Sequence, residues 1–336
     1  MARIRQPILI LLLAATALTV VTSTGSATAP PSEPFTASSY WRTPSTNPPD
    51  ARSGAMISWL QSVLPGDRRF VTIRASHLNG STAQGTTVYY AASSDHVYSI
   101  CHNPRYTKYT FPPEATSVRI PAGAHAPTDN DADMIVYNDF AGRVFWFTNM
   151  QMIGGKWCAS QMSVYYTSSN GLYGLLPGST NTHNWGKHGL ASITQAVRWG
   201  EVVKGVVPHV MDIYIPAISC HHAAGGRDYY PLYTGTMCTT SAANAIPAGA
   251  VIRIKPSVNL AAFKLNPYAR VIANALQKYG AVVGDRSGMG NCATIKLEDT
   301  VDEGRGNLWG NVGLTSYSLS GIPISDYQVD KLGAGR

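Results

Sequence analysis

Met134-Ile135-Val136-Tyr137-Asn138 and Arg143-Val144-Phe145-Trp146-Phe147, with Asp139-Phe140-Ala141-Gly142 between them, form the stretch that decides the fold class. Both runs are rich in β-branched and aromatic residues, which suit a pleated, packed surface. The connection is short and ends in glycine, so the pair reads as a β-hairpin. Working outward, residues 70–74, 87–90, 96–100 and 117–120 read as strands on the N-terminal side. On the C-terminal side, residues 156–166, 209–215, 251–254 and 281–283 read the same way. Short strands separated by Gly and Pro predict a mainly β fold, a β-sandwich or jelly-roll-like arrangement with a few helices.

The clearest helix is expected over 266–279. Asn266 can cap it, Pro267 suits its first turn, Val271, Ala275 and Leu276 make a stripe, and Gly280 stops it. Residues 55–63 put Met56, Leu60 and Val63 on one side of a shorter helix, broken by Pro65-Gly66-Asp67. A third short helix is expected within 189–204.

Residues 1–29 have the pattern of a signal peptide. Arg3 and Arg5 precede an apolar run of about 15 residues, shorter than the roughly 20 that span a bilayer. Ala27 and Ala29 fit a peptidase, which places cleavage after Ala29. The expected protein is secreted and extracellular, with no membrane segment after processing. Residues 30–49, rich in Pro, Ser and Thr, read as an extended lead-in. Residues 50–336 read as one β-rich domain. The net charge is +7, or +5 without the two leader arginines, and no Lys/Arg run gives a footprint for nucleic acid. A mild positive balance favours an anionic partner such as an acidic glycan.

The cysteines number five, and an exterior location makes disulfides the default. Cys220 with Cys238, bracketing a Gly-rich and aromatic-rich loop, is the first expected pair. Cys101 with Cys158, each ending an aromatic strand-like stretch, is the second, leaving Cys292 as a thiol. Cys220-His221-His222 with Cys238 matches no zinc spacing, so no metal site is expected there.

The chain carries no Gly-x-Ser-x-Gly elbow, P-loop, dinucleotide glycine pattern or paired-histidine zinc helix. The candidate chemistry lies in scattered polar residues. Asp129-Asn130-Asp131-Ala132-Asp133 stands before the strand at 134, where Asp131 and Asp133 can serve as general acid and base or as calcium ligands. Asp285 ends a strand after Tyr279-Gly280. His209 shares a strand face with Met211 and Ile213, a setting for a core histidine or a proton shuttle. His183, Trp185 and His188 sit in a loop rich in Asn and Gly, whose composition suits ligand recognition. His188 is a second candidate base. His183, Trp185 and Tyr230, the last in the loop between Cys220 and Cys238, are the expected substrate contacts.

Several segments together resemble a large family of uncharacterised secreted, mostly actinobacterial proteins. They are Phe35-Thr36 with Ser39-Tyr40-Trp41, Asp131-Ala132-Asp133-Met134, Gly205-Val206-Val207-Pro208-His209-Val210-Met211 and Ala245-Ile246-Pro247-Ala248-Gly249. The most specific is Ala275-Leu276-Gln277-Lys278-Tyr279-Gly280 followed by Asp285. The chain departs from that pattern where Asp133 replaces a histidine and where residues 143–147 lack a glutamate. The resemblance implies secretion and a shared fold, and no established reaction. With 10% aromatic residues, led by Tyr, the residues point to a secreted carbohydrate-active enzyme, a hydrolase or lyase of an extracellular or cell-wall polysaccharide. In the hydrolase Asp131 or Asp133 works with Asp285, and in the lyase His209 or His188 takes the proton. The other reading is a non-catalytic glycan-binding or cell-wall-associated protein. No cofactor is expected apart from the calcium alternative.

Overall fold

In a computed structural model that describes residues 33–78, 85–104, 110–129, 131–180, 189–194, 196–233, 238–288 and 292–336, the hairpin forms around a left-handed Gly142 (φ 64°). Ile135 lies opposite Trp146 and Val136 opposite Phe145. In chain order the strands are β1 (Val71–Arg74), β2 (Thr87–Tyr90), β3 (Val97–Tyr98), β4 (Cys101–His102), β5 (Val118–Arg119), β6 (Met134–Asn138), β7 (Arg143–Thr148) and β8 (Gln151–Ile153). There follow β9 (Lys156–Ala159), β10 (Gln161–Tyr166), β11 (Ala196–Val197), β12 (Met211–Ile215), β13 (Val251–Ile254), β14 (Ala281–Arg286), β15 (Ala293–Leu297) and β16 (Tyr327–Val329). The helices used below are α1 (Ser53–Val63), α2 (Trp199–Val203) and α3 (Pro267–Lys278). Strand exceeds helix, so the fold is mainly β.

One sheet runs β10-β7-β6-β2 and is buried on both faces. Ile135, Tyr137, Val144, Trp146 and Tyr165 join the large core. Their alternates Met134, Val136, Phe145, Phe147 and Val164 face a second apolar cluster with Val118, Ile120 and Trp157. Burial on both faces explains why the hairpin sequence is nearly unbroken in apolar residues. The small sheets β3-β5 and β4-β9-β8 lie at that second cluster. There Cys101 is paired with Cys158, directly opposite it in the parallel pair β4–β9, with Cα atoms 4.3 Å apart. Cys220 is paired with Cys238 at a Cα distance of 4.5 Å, and Cys292 is a buried thiol.

The largest sheet has the order β1-β15-β12-β14-β13-β16, with β11 also beside β15. Its pairings are mixed: β1–β15 and β12–β14 are parallel, whereas β13 runs antiparallel to both β14 and β16. Val71, Ile73, Ile213, Ile295 and Leu297 turn into the large core. The alternate residues Thr72, Arg74, Asp212, Tyr214, Thr294 and Lys296 belong to the other face, as the two-residue period of a strand requires. That polar face carries the candidate site. Helix α3 packs beside β13 and α1 beside β16. Asn266 caps α3 by accepting from Tyr268 N, and Gly280 leaves it at φ 74°.

Four expectations change. Residues 156–166 are two strands of different sheets, separated at Ser160, whose amide and hydroxyl both donate to Thr148 O. The expected helix at 189–204 is confined to α2, because Ala196 and Val197 pair with β15 instead. The described part of the lead-in, from residue 33, is irregular but not peripheral. Phe35, Tyr40 and Trp41 are buried in the large core, since burying these rings outweighs the open-chain preference of the surrounding Pro and Ser. His209 precedes β12 rather than standing on its face. Pro31–Arg336 is one compact unit. No helix among the described residues is long and apolar enough to cross a membrane.

Candidate active site on the polar face of the large sheet

A cavity of about 130 Å³ opens on the polar face, lined among others by Arg74, Asp131, Tyr214, Asp285, Arg286 and Lys296. Sheet register explains the gathering. Thr72 is opposite Thr294, Thr294 opposite Tyr214, and Tyr214 opposite Asp285, so one row crosses four strands. Arg74 and Lys296 are opposed in the next row. Asp285 reaches this row because β14 shifts register between its partners Ile213 and Tyr214. The extra residue is Gly284; in an unbroken ladder Asp285 would fall on the opposite face. Gly284 also lacks room for a side chain, since a Cβ there would stand 2.7 Å from Leu190 Cδ2.

The segment before β6 delivers the second acidic group. Asp131 O accepts from Asn149 N (2.7 Å) and Thr148 Oγ1 (2.9 Å), and Asp133 O accepts from Thr87 N (3.2 Å). Ala132 between them takes φ 44°, the left-handed region. Both carboxylates then reach one ammonium. Lys296 Nζ lies 2.8 Å from Asp133 Oδ2 and 3.4 Å from Asp131 Oδ2, and 5.1 Å from the centre of the Tyr214 ring. Asp133 is fully buried, whereas the Asp131 side chain is 42% exposed and opens to the cavity.

Burial would push the Lys296 ammonium down, but the Asp133 carboxylate, then Tyr214 and Asp131, outweigh it and hold the lysine well above its ordinary value. Burial likewise holds the Tyr214 phenol well above its ordinary value, against the pull of Lys296. Lys296 is therefore a fixed cation and Tyr214 a neutral hydroxyl at neutral pH. Burial pushes the Asp129 carboxyl up to about 6, against the pull of Lys296 and with the repulsion of Asp133. Among the described residues, the bases that line this cavity are the carboxylates of Asp131 and Asp285. The cation among the aspartates is the Lys296 ammonium, and no group of three or more His, Cys, Asp and Glu side chains among the described residues is placed to hold a metal ion.

The remaining expected site residues divide. Asp131, Asp133 and Asp285 come together; His209 does not join them. Its Nε2 is 3.1 Å from Glu201 Oε1 and its Nδ1 is 2.9 Å from Val210 O, so both ring nitrogens are committed. Burial pulls the imidazole down, but Glu201 outweighs this and raises it above the ordinary histidine value. Arg198 completes the cluster, pairing with Glu201 and, at 2.9 Å, with Glu33. With both ring nitrogens engaged and its side chain absent from the cavity's lining, His209 is placed as the core histidine of a buried ion cluster rather than beside Asp131 and Asp285. Tyr230 packs edge-on against Tyr40, ring centres 5.3 Å apart, and is not among the cavity's lining residues. His183, Trp185 and His188 lie outside the described residues.

Arg74, Tyr214, Arg286 and Lys296 were not anticipated. Their signal was alternation: Val71-Thr72-Ile73-Arg74 and Ala293-Thr294-Ile295-Lys296 each place apolar and polar residues in turn, ending in a cation. Comparison with protein-family models, curated proteins and solved structures gives no match for this chain.

Proposed function

We propose that this cavity is the active site of a secreted carbohydrate-active enzyme that cleaves an extracellular or cell-wall polysaccharide. The observation that carries the reading is that Asp131 and Asp285, far apart in sequence, line one cavity beside a fixed cation. Paired carboxylates suit hydrolysis of a glycosidic bond. One donates a proton to the glycosidic oxygen as the bond to the anomeric carbon breaks. The other takes a proton from the attacking water or attacks that carbon itself. The Lys296 ammonium and the Tyr214 hydroxyl supply positive charge and a donor to the oxygen that gains charge.

Among the described residues hydrolysis is favoured over elimination, because His209 is engaged by Glu201 and burial holds the Tyr214 phenol well above its ordinary value, leaving the cavity's carboxylates. The β6–β7 sheet, buried on both faces, supports a sandwich-like scaffold. The disulfides support an oxidising exterior. The test is to incubate the purified protein with a polysaccharide panel and read both new reducing ends and the absorbance of 4,5-unsaturated uronates. Reducing ends without unsaturation are expected. Unsaturated product indicates a lyase. Binding without any cleavage indicates a glycan-binding protein.

A further inference from the structure

A second cavity, about 150 Å³, lies at the outer edge of the same sheet and is lined among others by Arg68, Thr72, Arg74, Cys292, Ser316 and Tyr317. Arg74 lines both cavities. Strand β1 carries Thr72 and Arg74 in register with Thr294 and Lys296 of β15, so the two floors are neighbouring strands of one polar face, roughly 4.8 Å apart. The two differ in charge. The first cavity sets Arg74, Arg286 and Lys296 against Asp131 and Asp285. The second is lined by two guanidinium groups and no carboxylate.

The donors of Arg68 are under-used. Its Nε is buried without a hydrogen-bond acceptor among the described residues and makes a long, 3.6 Å ion pair with the exposed Asp67 carboxylate. Its Nη1 donates to the Cys292 sulfur, at 3.7 Å, a weak acceptor. A planar carboxylate matches the guanidinium fork, and the lining of this cavity brings no carboxylate of its own to occupy it. A hydroxyl (Ser316), an exposed ring (Tyr317, 43% exposed) and the Cys292 wall suit a sugar around such a carboxylate.

We propose that the polymer is a polyuronate, and that Arg68 and Arg74 hold the carboxylate of one uronic acid residue while the neighbouring linkage lies between Asp131 and Asp285. This rests on the carbohydrate-active reading above and names its substrate class. It also gives the positive balance of the chain a local purpose at the mouth of the site.

The test is calorimetric binding to the purified protein of three probes of equal length: an oligogalacturonate, its fully methyl-esterified form, and a sulfated neutral galactan fragment. The acid is expected to bind about tenfold or more tightly than the ester, with a preference that shrinks as salt rises. Arg68→Gln is expected to abolish the difference between acid and ester, and Arg68→Lys, which keeps the charge without the fork, to retain part of it. Thermal midpoints of both variants near the wild-type value exclude misfolding as the cause. Equal binding of acid and ester overturns the proposal, as does an acid preference that survives Arg68→Gln. Tighter binding of the sulfated fragment overturns the uronate assignment. Cleavage of some polymer without any acid preference removes this subsite and leaves the enzymatic reading standing. Acid-selective binding through Arg68 without cleavage does the reverse.

Discussion

Asp129 illustrates how a single group at the site is tied to pH. Its carboxyl is pushed up to about 6, mainly by burial, while one oxygen accepts from Ala132 N. Between the ordinary aspartate value, about 4, and about 6 the native chain holds more protons than the unfolded one, so stability falls as pH rises through that window. Asp129→Asn keeps the bond to Ala132 and removes the ionisation. The thermal midpoint of the variant should therefore gain on the wild type between pH 4 and pH 7; a constant difference across that range contradicts the assignment. In the Glu201–His209 pair the two groups respond to pH in opposite senses. Burial would raise Glu201, but Arg198 and then His209 hold it down to about 2. The contribution of Glu201 is present above the ordinary glutamate value and lost as pH falls towards about 2, while that of His209 is present below the ordinary histidine value and lost as pH rises through its raised one. His209→Ala should cost about 1–3 kcal/mol in chemical denaturation, with activity per folded molecule unchanged. Loss of turnover without loss of stability would return His209 to the chemistry.

At the scale of elements, the turn after β15 locks two sheets together. Arg305 Nη1 bridges Glu298 and Glu303, and Glu303 Oε1 accepts from the edge-strand amide Val88 N at 2.6 Å. Arg305→Ala leaves two buried carboxyls without that cation and should lower stability by about 1–3 kcal/mol, less than a fully buried pair costs because the guanidinium is 40% exposed. An unchanged urea midpoint would show that the bridge is idle. The disulfides differ in span, 57 and 18 residues. Chain-entropy estimates give about 4 kcal/mol for Cys101–Cys158 and about 3 kcal/mol for Cys220–Cys238. Replacing Cys101 and Cys158 by serine should therefore lower the midpoint more than replacing Cys220 and Cys238; the reverse order would contradict the ranking.

These elements also show what could be read from the chain. The β6–β7 hairpin, α3 with its Asn266 cap, and both cysteine pairs depend on neighbouring residues or on simple spacing, and were legible. The parallel partners β1 and β15 were not, because more than 200 residues separate them and no local pattern encodes a parallel register. Asp131 and Asp285 stood out as acids at strand ends. Lys296 did not, because a lone lysine in Ala-Thr-Ile-Lys-Leu looks like an exposed strand residue until Asp133 covers it. His209 misled because its strand-like spacing hid Glu201, eight residues earlier.

For the molecule as a whole, the large sheet has two dissimilar faces. One joins the main core, and the other gathers acids, cations and a phenol delivered by β1, β12, β14, β15 and the segment before β6. Such a face is costly to build unless its charges are used or paired, and here Lys296 with Asp133 supplies the fixed pair around which exposed carboxylates are arranged. The central claim is that Asp131 and Asp285 act together on a glycosidic bond. It is tested most directly by the turnover of Asp131→Asn and Asp285→Asn on the polymer that the wild type cleaves, with thermal midpoints measured alongside. Each variant should lose about 10²–10⁴-fold in kcat, with its midpoint within a few degrees of the wild type. Full turnover in either variant, or loss of turnover only in step with unfolding, would contradict the account.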